Sequence, residues 1–169
     1  MKIIETKRLS LRKLSTGDAE FILELLNDPS FIRYIGDKGV RNLEDAKKYI
    51  VTGPLDSYER HGFGLWLVTL RDSEMPIGIC GLLKRESLPD VDIGFAFLPQ
   101  FRSKGYAYES AAAVAHYGKG VLGLKRLVAI TDPDNVSSIK LLEKIGLRFN
   151  GMIQLSEDAP KIKLFATNF

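Results

Sequence analysis

The stretch VDIGFAFLPQFRSKGYAYE, from Val91 to Glu109, decides the fold of this 169-residue chain. Its first part, up to Leu98, alternates with a period of two, which predicts a β-strand that Pro99 ends. A short polar loop around Gly105 follows, and the alanine-rich segment beyond that loop predicts a helix. A strand that leads through a short glycine-containing loop into a helix is an arrangement in which proteins often bind phosphate groups.

The loop between this strand and this helix has the chemistry of a pyrophosphate site. The first N–H groups of a helix have no partner in the helix and carry partial positive charge. Gly105 lets the backbone approach a ligand closely because it has no Cβ, while Arg102 and Lys104 add positive charge and Ala107 keeps the first turn small. On the loop alone, a plain polar loop with glycine at a bend is an equally open interpretation.

The two faces of the predicted strand differ in size and polarity. One face carries the bulky residues Val91, Ile93, Phe95 and Phe97. The other face carries the smaller residues Asp92, Gly94 and Ala96. The bulky face suits a core, and the small face leaves room for a ligand beside a carboxylate. Because an acid is costly to bury unless it is paired or used, Asp92 is a candidate catalytic base. The alternative is a carboxylate at the strand edge near Arg85.

Patterning along the rest of the chain predicts an α/β (α+β) fold. Strands are predicted at 7–13, 64–71, 77–85, 126–131, 147–155 and 161–167, and helices begin near Ser15, after Asn42 and near Asn135. A right-handed crossover makes the strands at 91–98 and 126–131 parallel, whereas short turns make their predecessors antiparallel. We therefore expect a mixed, mostly antiparallel sheet of about six to seven strands, a parallel βαβ unit and flanking helices. The segment 30–41 is predicted to be a loop where substrate choice resides.

Composition narrows the class of protein further. A hydrophobic fraction of 45% and a charged fraction of 27% are typical of one globular domain, which we expect to span residues 1–169. A formal net charge of +3 is too small to predict direct nucleic-acid binding. Charges recur near the N-terminus and no long apolar run occurs, so neither a signal peptide nor a membrane span is expected. Two histidines and one cysteine predict neither a metal site nor a disulfide, and we expect a cytoplasmic protein.

Two motifs together resemble the GNAT superfamily of acetyl-CoA-dependent N-acetyltransferases. Its [Gln/Arg]-x-x-Gly-x-[Gly/Ala] signature is matched by RSKGYA at 102–107, and the segment 135–147 is similar to its Asn-x-x-[Ala/Ser] helix. The opening ETKRLSLR at 5–12, together with Ile93-Gly94-Phe95, is similar to the Rim-type branch, whose members acetylate the N-termini of ribosomal proteins. A G-x-G-x-x-G match at 118–123 follows a helix and precedes a strand, which is the wrong context for a dinucleotide site.

The resemblance implies a fold, a cofactor and a set of site residues. Acetyl-CoA is the expected co-substrate, with its pyrophosphate on the backbone N–H groups of Arg102, Ser103, Lys104, Gly105, Tyr106 and Ala107. The strand around Phe97 and Leu98 is expected to hydrogen-bond the pantetheine arm, with Asn135 and Ser138 near the pantetheine and the sulfur. The implied reaction is direct attack by a primary amine, at a protein N-terminus or on a small molecule. The implied assembly is a monomer or a homodimer.

The expected catalytic set departs from the family at one position. Many GNAT enzymes have a tyrosine that protonates the departing thiolate, and Leu142 stands at that position here. Ser138 is the candidate donor instead, unless its hydroxyl bonds the preceding helical turn. A non-catalytic acyl-CoA-binding or regulatory protein with the same fold is the alternative that this departure favours.

The pKa of the acceptor amine sets how much help from a catalytic base the reaction needs. An α-amino group, with a pKa of about 7.7–8.0, is roughly a tenth neutral at pH 7, whereas a lysine amine near 10.4 is below about a thousandth neutral. A weak acid–base set therefore fits an N-terminal or other low-pKa amine. Phe31, Tyr34 and Trp66 are candidates for an acceptor pocket, and each is equally compatible with a core position.

Overall fold

A computed structural model describes residues 2–169. The strands are β1 Lys2–Glu5, β2 Leu9–Lys13, β3 Leu65–Leu70, β4 Pro76–Leu83, β5 Asp92–Phe97, β6 Arg126–Thr131, β7 Arg148–Ile153 and β8 Ile162–Asn168. They form one eight-stranded sheet in the order β1-β2-β3-β4-β5-β6-β8-β7. The α-helices are α1 Ala19–Leu26, α2 Pro29–Tyr34, α3 Leu43–Ile50, α4 Asp56–His61, α5 Tyr106–Gly120 and α6 Val136–Lys144. Short 3₁₀ turns at Thr16–Asp18 and Pro99–Phe101 and a π-turn at Val51–Leu55 complete the regular structure.

This architecture confirms the predicted fold class and corrects three details. The sheet has eight strands because β1 pairs with β2, and the two adjacent isoleucines between its terminal charges give no alternating pattern to read. The segment 30–41, predicted to be a loop, contains most of α2, which begins at Pro29 with Asp28 as its N-cap. Helix α4 was likewise absent from the predicted elements.

Strands β5 and β6 are the parallel pair, and they pair at one end alone. β4 and β5 are in register from Gly78↔Phe97 to Leu83↔Asp92, whereas β5 and β6 are paired at Asp92↔Val128. Because the strands diverge beyond that point, a gap opens in the middle of the sheet toward the C-terminal end of β5. Open α/β sheets bind ligands at such interruptions.

Helices cover both faces of the sheet, and the two main clusters of the core lie between the sheet and these helices. Helix α5 packs on one face against a cluster that includes Leu82, Ile93 and Phe97. Helices α1 and α3 pack on the other face, where Ala96 joins Leu67 and their own apolar residues. The two faces predicted for β5 therefore face different layers, and the gap between β5 and β6 connects them.

Candidate active site

A cavity of about 550 Å³ lies beside the C-terminal half of β5, on the side where β5 and β6 diverge. It is lined from one face of the sheet by α2 and from the other by the start of α5 and by α6. It brings together nine of the residues predicted from sequence: Phe31, Tyr34, Phe97, Arg102, Ser103, Gly105, Ala107, Asn135 and Ser138. Because the cavity is lined from both faces, a molecule that enters beside α5 can meet another that enters beside α2.

The loop before α5 presents a run of free backbone donors at one end of this cavity. Ser103 and Gly105 have φ values of +62° and +84°, so the chain turns sharply twice before the helix begins. From Ser103 to Tyr108, no backbone N–H has an acceptor within residues 2–169. Adjacent N–H groups at the start of a 15-residue helix form an anion site.

The edge of β5 that faces the gap offers a second set of backbone groups. Leu98 N donates to Ile77 O at 3.0 Å, which makes that pair the hydrogen-bonded one. In an antiparallel ladder the neighbouring pair, Phe97 with Gly78, then directs its N–H and C=O groups away from the partner strand. The backbone of Phe97 therefore faces the gap, where an extended ligand can pair with it as an added strand.

The side chain of Arg102 is occupied by protein acceptors. Its Nε and Nη2 atoms donate to Phe97 O at 3.1 and 2.8 Å, Nη2 donates to Asp28 Oδ2 at 2.8 Å, and Nη1 donates to Ser30 Oγ at 3.2 Å. The guanidinium therefore ties the loop to α2. This corrects the expectation that its charge is directed at a phosphate, because Asp28 already balances that charge.

Arg8 supports the loop from the turn between β1 and β2. Its Nη1 donates to Lys104 O at 3.0 Å, its Nε donates to Glu109 Oε1 at 2.7 Å, and the guanidinium lies 4.4 Å from the ring centre of Tyr106. Partial burial raises the pKa of Glu109, but hydrogen bonds from Thr6 and Arg8 outweigh that effect and hold the pKa below its usual value. Arg8 and Glu109 are 101 positions apart, and no local sequence pattern indicated this contact.

The start of α6 brings Asn135 and Ser138 to the cavity. Asn135 caps the helix by accepting a hydrogen bond from Ser138 N at 3.3 Å. The Ser138 hydroxyl has no hydrogen-bond partner within residues 2–169, so the alternative bond to the preceding turn is not formed. Leu142, at the position of the usual tyrosine, is a core residue with 1% of its surface exposed, and its neighbour Leu141 lines the cavity instead.

Several lining residues were not anticipated from sequence. Lys140 and Lys144 lie four residues apart on α6, and Lys144 Nζ lies 4.2 Å from the ring centre of Tyr108 on α5. Their i, i+4 spacing after the Asn135 cap was a usable signal for a positive helix face. Ile35 follows α2 and adds an apolar group to the end of the cavity beside α2.

Other predicted residues lie away from the cavity lining. Trp66 is a core residue with 1% of its surface exposed, and its ring packs edge-on against Tyr117 at 5.4 Å, which removes it from the substrate candidates. Leu98 is buried with the α1–α3 cluster, and neither Lys104 nor Tyr106 contributes to the lining.

Asp92 lies at the closed end of the gap. Only 1% of its surface is exposed, and its two carboxylate oxygens accept from Arg85 Nε at 3.2 and 3.3 Å. Burial raises its pKa to about 6, and the positive charge of Arg85 opposes that rise. The carboxylate does not contribute to the lining of the large cavity, so any proton transfer to it needs an intervening water.

Residues 8–148 match the sequence model of the acetyltransferase (GNAT) domain. The chain belongs to the GNAT family. A similar GNAT relative is the uncharacterized N-acetyltransferase YnaD of Bacillus subtilis (strain 168), 33% identical over 151 residues that cover 89% of this chain and 85% of YnaD. A GNAT-family acetyltransferase from Bacillus anthracis superposes with a TM-score of 0.81 at 28% identity, covering 98% of this chain and 97% of its own.

The GNAT fold is also shared with a Rim-type enzyme. RimL, a ribosomal L7/L12 alpha-N-protein acetyltransferase solved in complex with coenzyme A, superposes with a TM-score of 0.85 over 99% of this chain and 98% of its own. At 16% identity this likeness concerns the fold. Within residues 2–169, no helix of this GNAT protein has both the length and the apolar character that a membrane span requires.

Proposed function

We propose that this chain transfers an acetyl group from acetyl-CoA to a primary amine, at a protein N-terminus or on a small molecule, by direct attack of the amine on the thioester. One observation carries the proposal: free N–H groups from Ser103 onward stand at the mouth of a cavity that passes through the sheet. A diphosphate bound there directs an attached arm into the gap.

The residues around the gap fit coenzyme A from end to end. The N–H groups of 103–107 hold the pyrophosphate, and the ammonium groups of Lys140 and Lys144 supply positive charge for the nucleotide end. The pantetheine arm pairs with the β5 backbone at Phe97, whose N–H faces the gap. Asn135 and Ser138 then lie beside the sulfur end of the arm.

The chemistry of the lining favours an amine with a low pKa. No carboxylate side chain belongs to the residues that line the large cavity, in the part of the chain that the structure describes. Without an adjacent base the amine has to arrive neutral, which an α-amino group does far more readily than a lysine. Asp92, with its raised pKa of about 6, takes the amine's proton through water. The unpaired Ser138 hydroxyl donates a hydrogen bond to the departing thiolate, which takes its proton from solvent.

The acceptor enters beside α2. Phe31 and Tyr34 line that end of the cavity together with Ile35, so the group next to the amine meets aromatic and aliphatic surface. The free N–H groups of residues 103–108, in the loop before α5 and its first turn, lie at the opposite end of the cavity. This separation allows the two substrates to bind together, as direct transfer requires.

The alternative function is non-catalytic binding of an acyl-CoA. The burial of Leu142 in the core favours it, because the usual acid is absent and no other residue replaces it at that position. The two functions differ in turnover and not in CoA binding.

The experiment measures thiol release from acetyl-CoA with three matched amines: the peptide Ser-Ala-Ala-Gln-Gln amide, the N-acetylated peptide Ser-Ala-Ala-Lys-Gln amide and glycinamide. We expect release with the free N-terminus or glycinamide and much less with the lysine peptide. Tight CoA binding without release from any of the three supports the binding function. Absence of CoA binding contradicts both functions.

A further inference from the structure

A second cavity, of about 380 Å³, lies on the α3–α4 side of the sheet. Its floor is formed by Leu65 of β3 and Leu83 of β4, and its walls come from Tyr49, from α4 and from the turn after β4. The acetyl-transfer site described above does not use it.

Arg85 presents unoccupied donors to this cavity. Its Nε is held by both oxygens of the buried Asp92, which fixes the plane of the guanidinium group. Within residues 2–169, Nη1 and Nη2 have no hydrogen-bond acceptor. A guanidinium held at one edge and free at the other is arranged for two parallel bonds to a carboxylate or a phosphate.

The other charged groups of the cavity are already engaged or lie at its rim. Arg60 is paired with Asp56 at 2.9 Å, and Lys84 Nζ donates to the carbonyl oxygens of Arg85 and Leu88 at 3.2 and 2.8 Å. Glu86 is an exposed carboxylate on the turn and disfavours a second negative charge close to it. Arg60 Nη1 and Nη2 also have no acceptor within residues 2–169, but 71% of that side chain is exposed and its partner Asp56 is exposed as well. Arg85 is therefore the cation of this lining whose free donors are held in place by a buried carboxylate.

Two other groups lie near Arg85, a phenol in the cavity lining and a lysine outside that lining. The Tyr49 hydroxyl makes no hydrogen bond within the described residues, and burial raises its pKa while the nearby charge of Arg85 opposes the rise. Much of the Lys38 side chain is exposed, yet partial burial of its ammonium group and the charge of Arg85 lower its pKa. An anion bound at Arg85 can therefore also accept a hydrogen bond from the Tyr49 hydroxyl.

The two cavities lie along one face of β5. Ala96 lines the large cavity, and Asp92, behind Arg85, lies four residues earlier, which is roughly 13 Å of strand. Between them Gly94 has no side chain, and a Cβ there would meet Leu83 at 3.3 Å and Leu65 at 3.7 Å, two floor residues of the second cavity. An extended chain with its amine in the large cavity therefore reaches Arg85 with its fourth or fifth residue.

We propose that the second cavity binds an anionic group of the acceptor, held by the free edge of Arg85 with Tyr49, so that the preferred acceptor is an amine that carries a carboxylate or phosphate roughly four residues away. The inference rests on the proposed acetyl transfer and names the substrate class for it. Asp92 contributes by orienting Arg85.

The test compares Ser-Ala-Ala-Glu-Glu amide with its isosteric control Ser-Ala-Ala-Gln-Gln amide, as dissociation constants in the presence of CoA and as KM values with acetyl-CoA. We expect at least tenfold tighter binding of the acidic peptide.

Arg85→Gln reduces that preference to less than twofold, and Arg85→Lys and Tyr49→Phe reduce it in part. Arg60→Gln, which removes an arginine of the same cavity already paired with Asp56, leaves it unchanged. Thermal melts establish that each variant folds, and Arg85→Lys carries the test if Arg85→Gln does not.

A further arm adds inorganic phosphate. Competition with the acidic peptide, and not with its neutral control, supports an anion site in the acceptor path. Equal affinity for the two peptides, or a preference that survives Arg85→Gln, overturns the inference. Phosphate binding that depends on Arg85 without any peptide preference also overturns it, because the site then takes a free anion. If the acidic peptide binds more tightly through Arg85 but no acetyl group is transferred, only the proposed function is contradicted. If acetyl transfer occurs without a preference for the acidic peptide, only this inference is contradicted.

Discussion

Arg102 Nη2 and Asp28 Oδ2 are 2.8 Å apart, and this ion pair joins the loop before α5 to the N-cap of helix α2. Asp28 is 8% exposed and also accepts from Phe31 N at 3.2 Å. One carboxylate therefore starts the helix that carries Phe31 and Tyr34 and fixes it to the strand end at Phe97. The end of the cavity beside α2 and the end beside α5 are therefore linked through this ion pair.

Replacement of Arg102 by lysine tests this link. Lysine keeps the charge but lacks the planar fork that contacts Phe97 O, Ser30 and Asp28 together. We expect a loss of about 1 kcal/mol in the free energy of unfolding, because the pair is partly solvated, with faster hydrogen exchange in α2 and CoA affinity within about threefold of the parent. Asp28→Asn should give the same pattern.

The matched control for that prediction is Lys104→Met, which removes a neighbouring positive charge and leaves Asp28 paired. It should weaken CoA binding modestly, more at low salt than at high salt, and leave exchange in α2 unchanged. A large loss of CoA affinity in Arg102→Lys with normal α2 exchange would contradict the positioning role.

Gly105→Ala should weaken CoA binding by at least tenfold. The φ of +84° costs a residue with a Cβ about 1 kcal/mol or more, and that Cβ would lie 3.1 Å from Arg8 Nη2. The loop then shifts and its N–H groups no longer converge on the diphosphate. Calorimetric titration with CoA measures the effect.

Gly123→Ala is the control for backbone strain. Its φ is +68°, and a Cβ there meets nothing within 4 Å. It should lower the melting temperature to a similar degree and leave CoA affinity unchanged. Equal CoA affinities in the two variants would show that the loop at Gly105 is not the diphosphate site.

Asp92 makes stability depend on pH in a direction opposite to most acids. Its pKa of about 6 in the folded chain lies above the value of about 3.9 in an unfolded chain, so the folded state binds more protons between pH 4 and pH 6. The Asp92 contribution to the free energy of unfolding therefore falls as pH rises through that window, by up to roughly 3 kcal/mol. The contribution is full below about pH 4.

Denaturant unfolding of the parent and of Asp92→Asn at pH 4, 5, 6 and 7 measures this contribution as a difference between the two proteins. Because the other acids contribute equally to the free energy of unfolding of both proteins, their pH dependence cancels in the difference. Asp18 is one of these acids: burial raises its pKa, but its bonds with Arg12 and Ser15 lower it more. A parent that gains stability relative to Asp92→Asn as pH rises would mean that the Arg85 pair outweighs burial.

Ser138→Ala should lower kcat for acetyl transfer by about tenfold with little change in CoA affinity. Its hydroxyl is the unpaired donor of the Asn135–Ser138 turn, and a positioned donor assists the departing thiolate. The thiol is itself a fair leaving group, which keeps the expected loss small. Steady-state kinetics with the peptide or amine found to react measures the effect.

Ser137→Ala is the matched control, since Ser137 is the adjacent serine and lines the same cavity. It should retain nearly full kcat. Equal losses in both variants would assign Ser138 to helix capping or packing and leave the thiolate without an acid from this chain.

Elements with strong local patterns were predictable. The strand at 91–98, the loop at 102–105 and the alanine-rich helix lie where the sequence placed them, because alternation, proline and glycine act over a few residues. β1 and α2 were not predicted, since a four-residue strand and a six-residue helix carry too little pattern to separate from loop. Trp66 had no local signal to distinguish a core position from a pocket wall.

The sequence by itself determined the family, the mixed sheet and the strand–loop–helix unit that presents free N–H groups, because these depend on neighbours along the chain. Only the tertiary structure decided which charges are available. Arg102 pairs with Asp28 74 residues away and Arg8 with Glu109 101 residues away, whereas Arg85 keeps two donors free. The physical reason is that a side chain's charge acts over a few ångströms in space, and the fold, not the order of residues, sets which groups lie within that range.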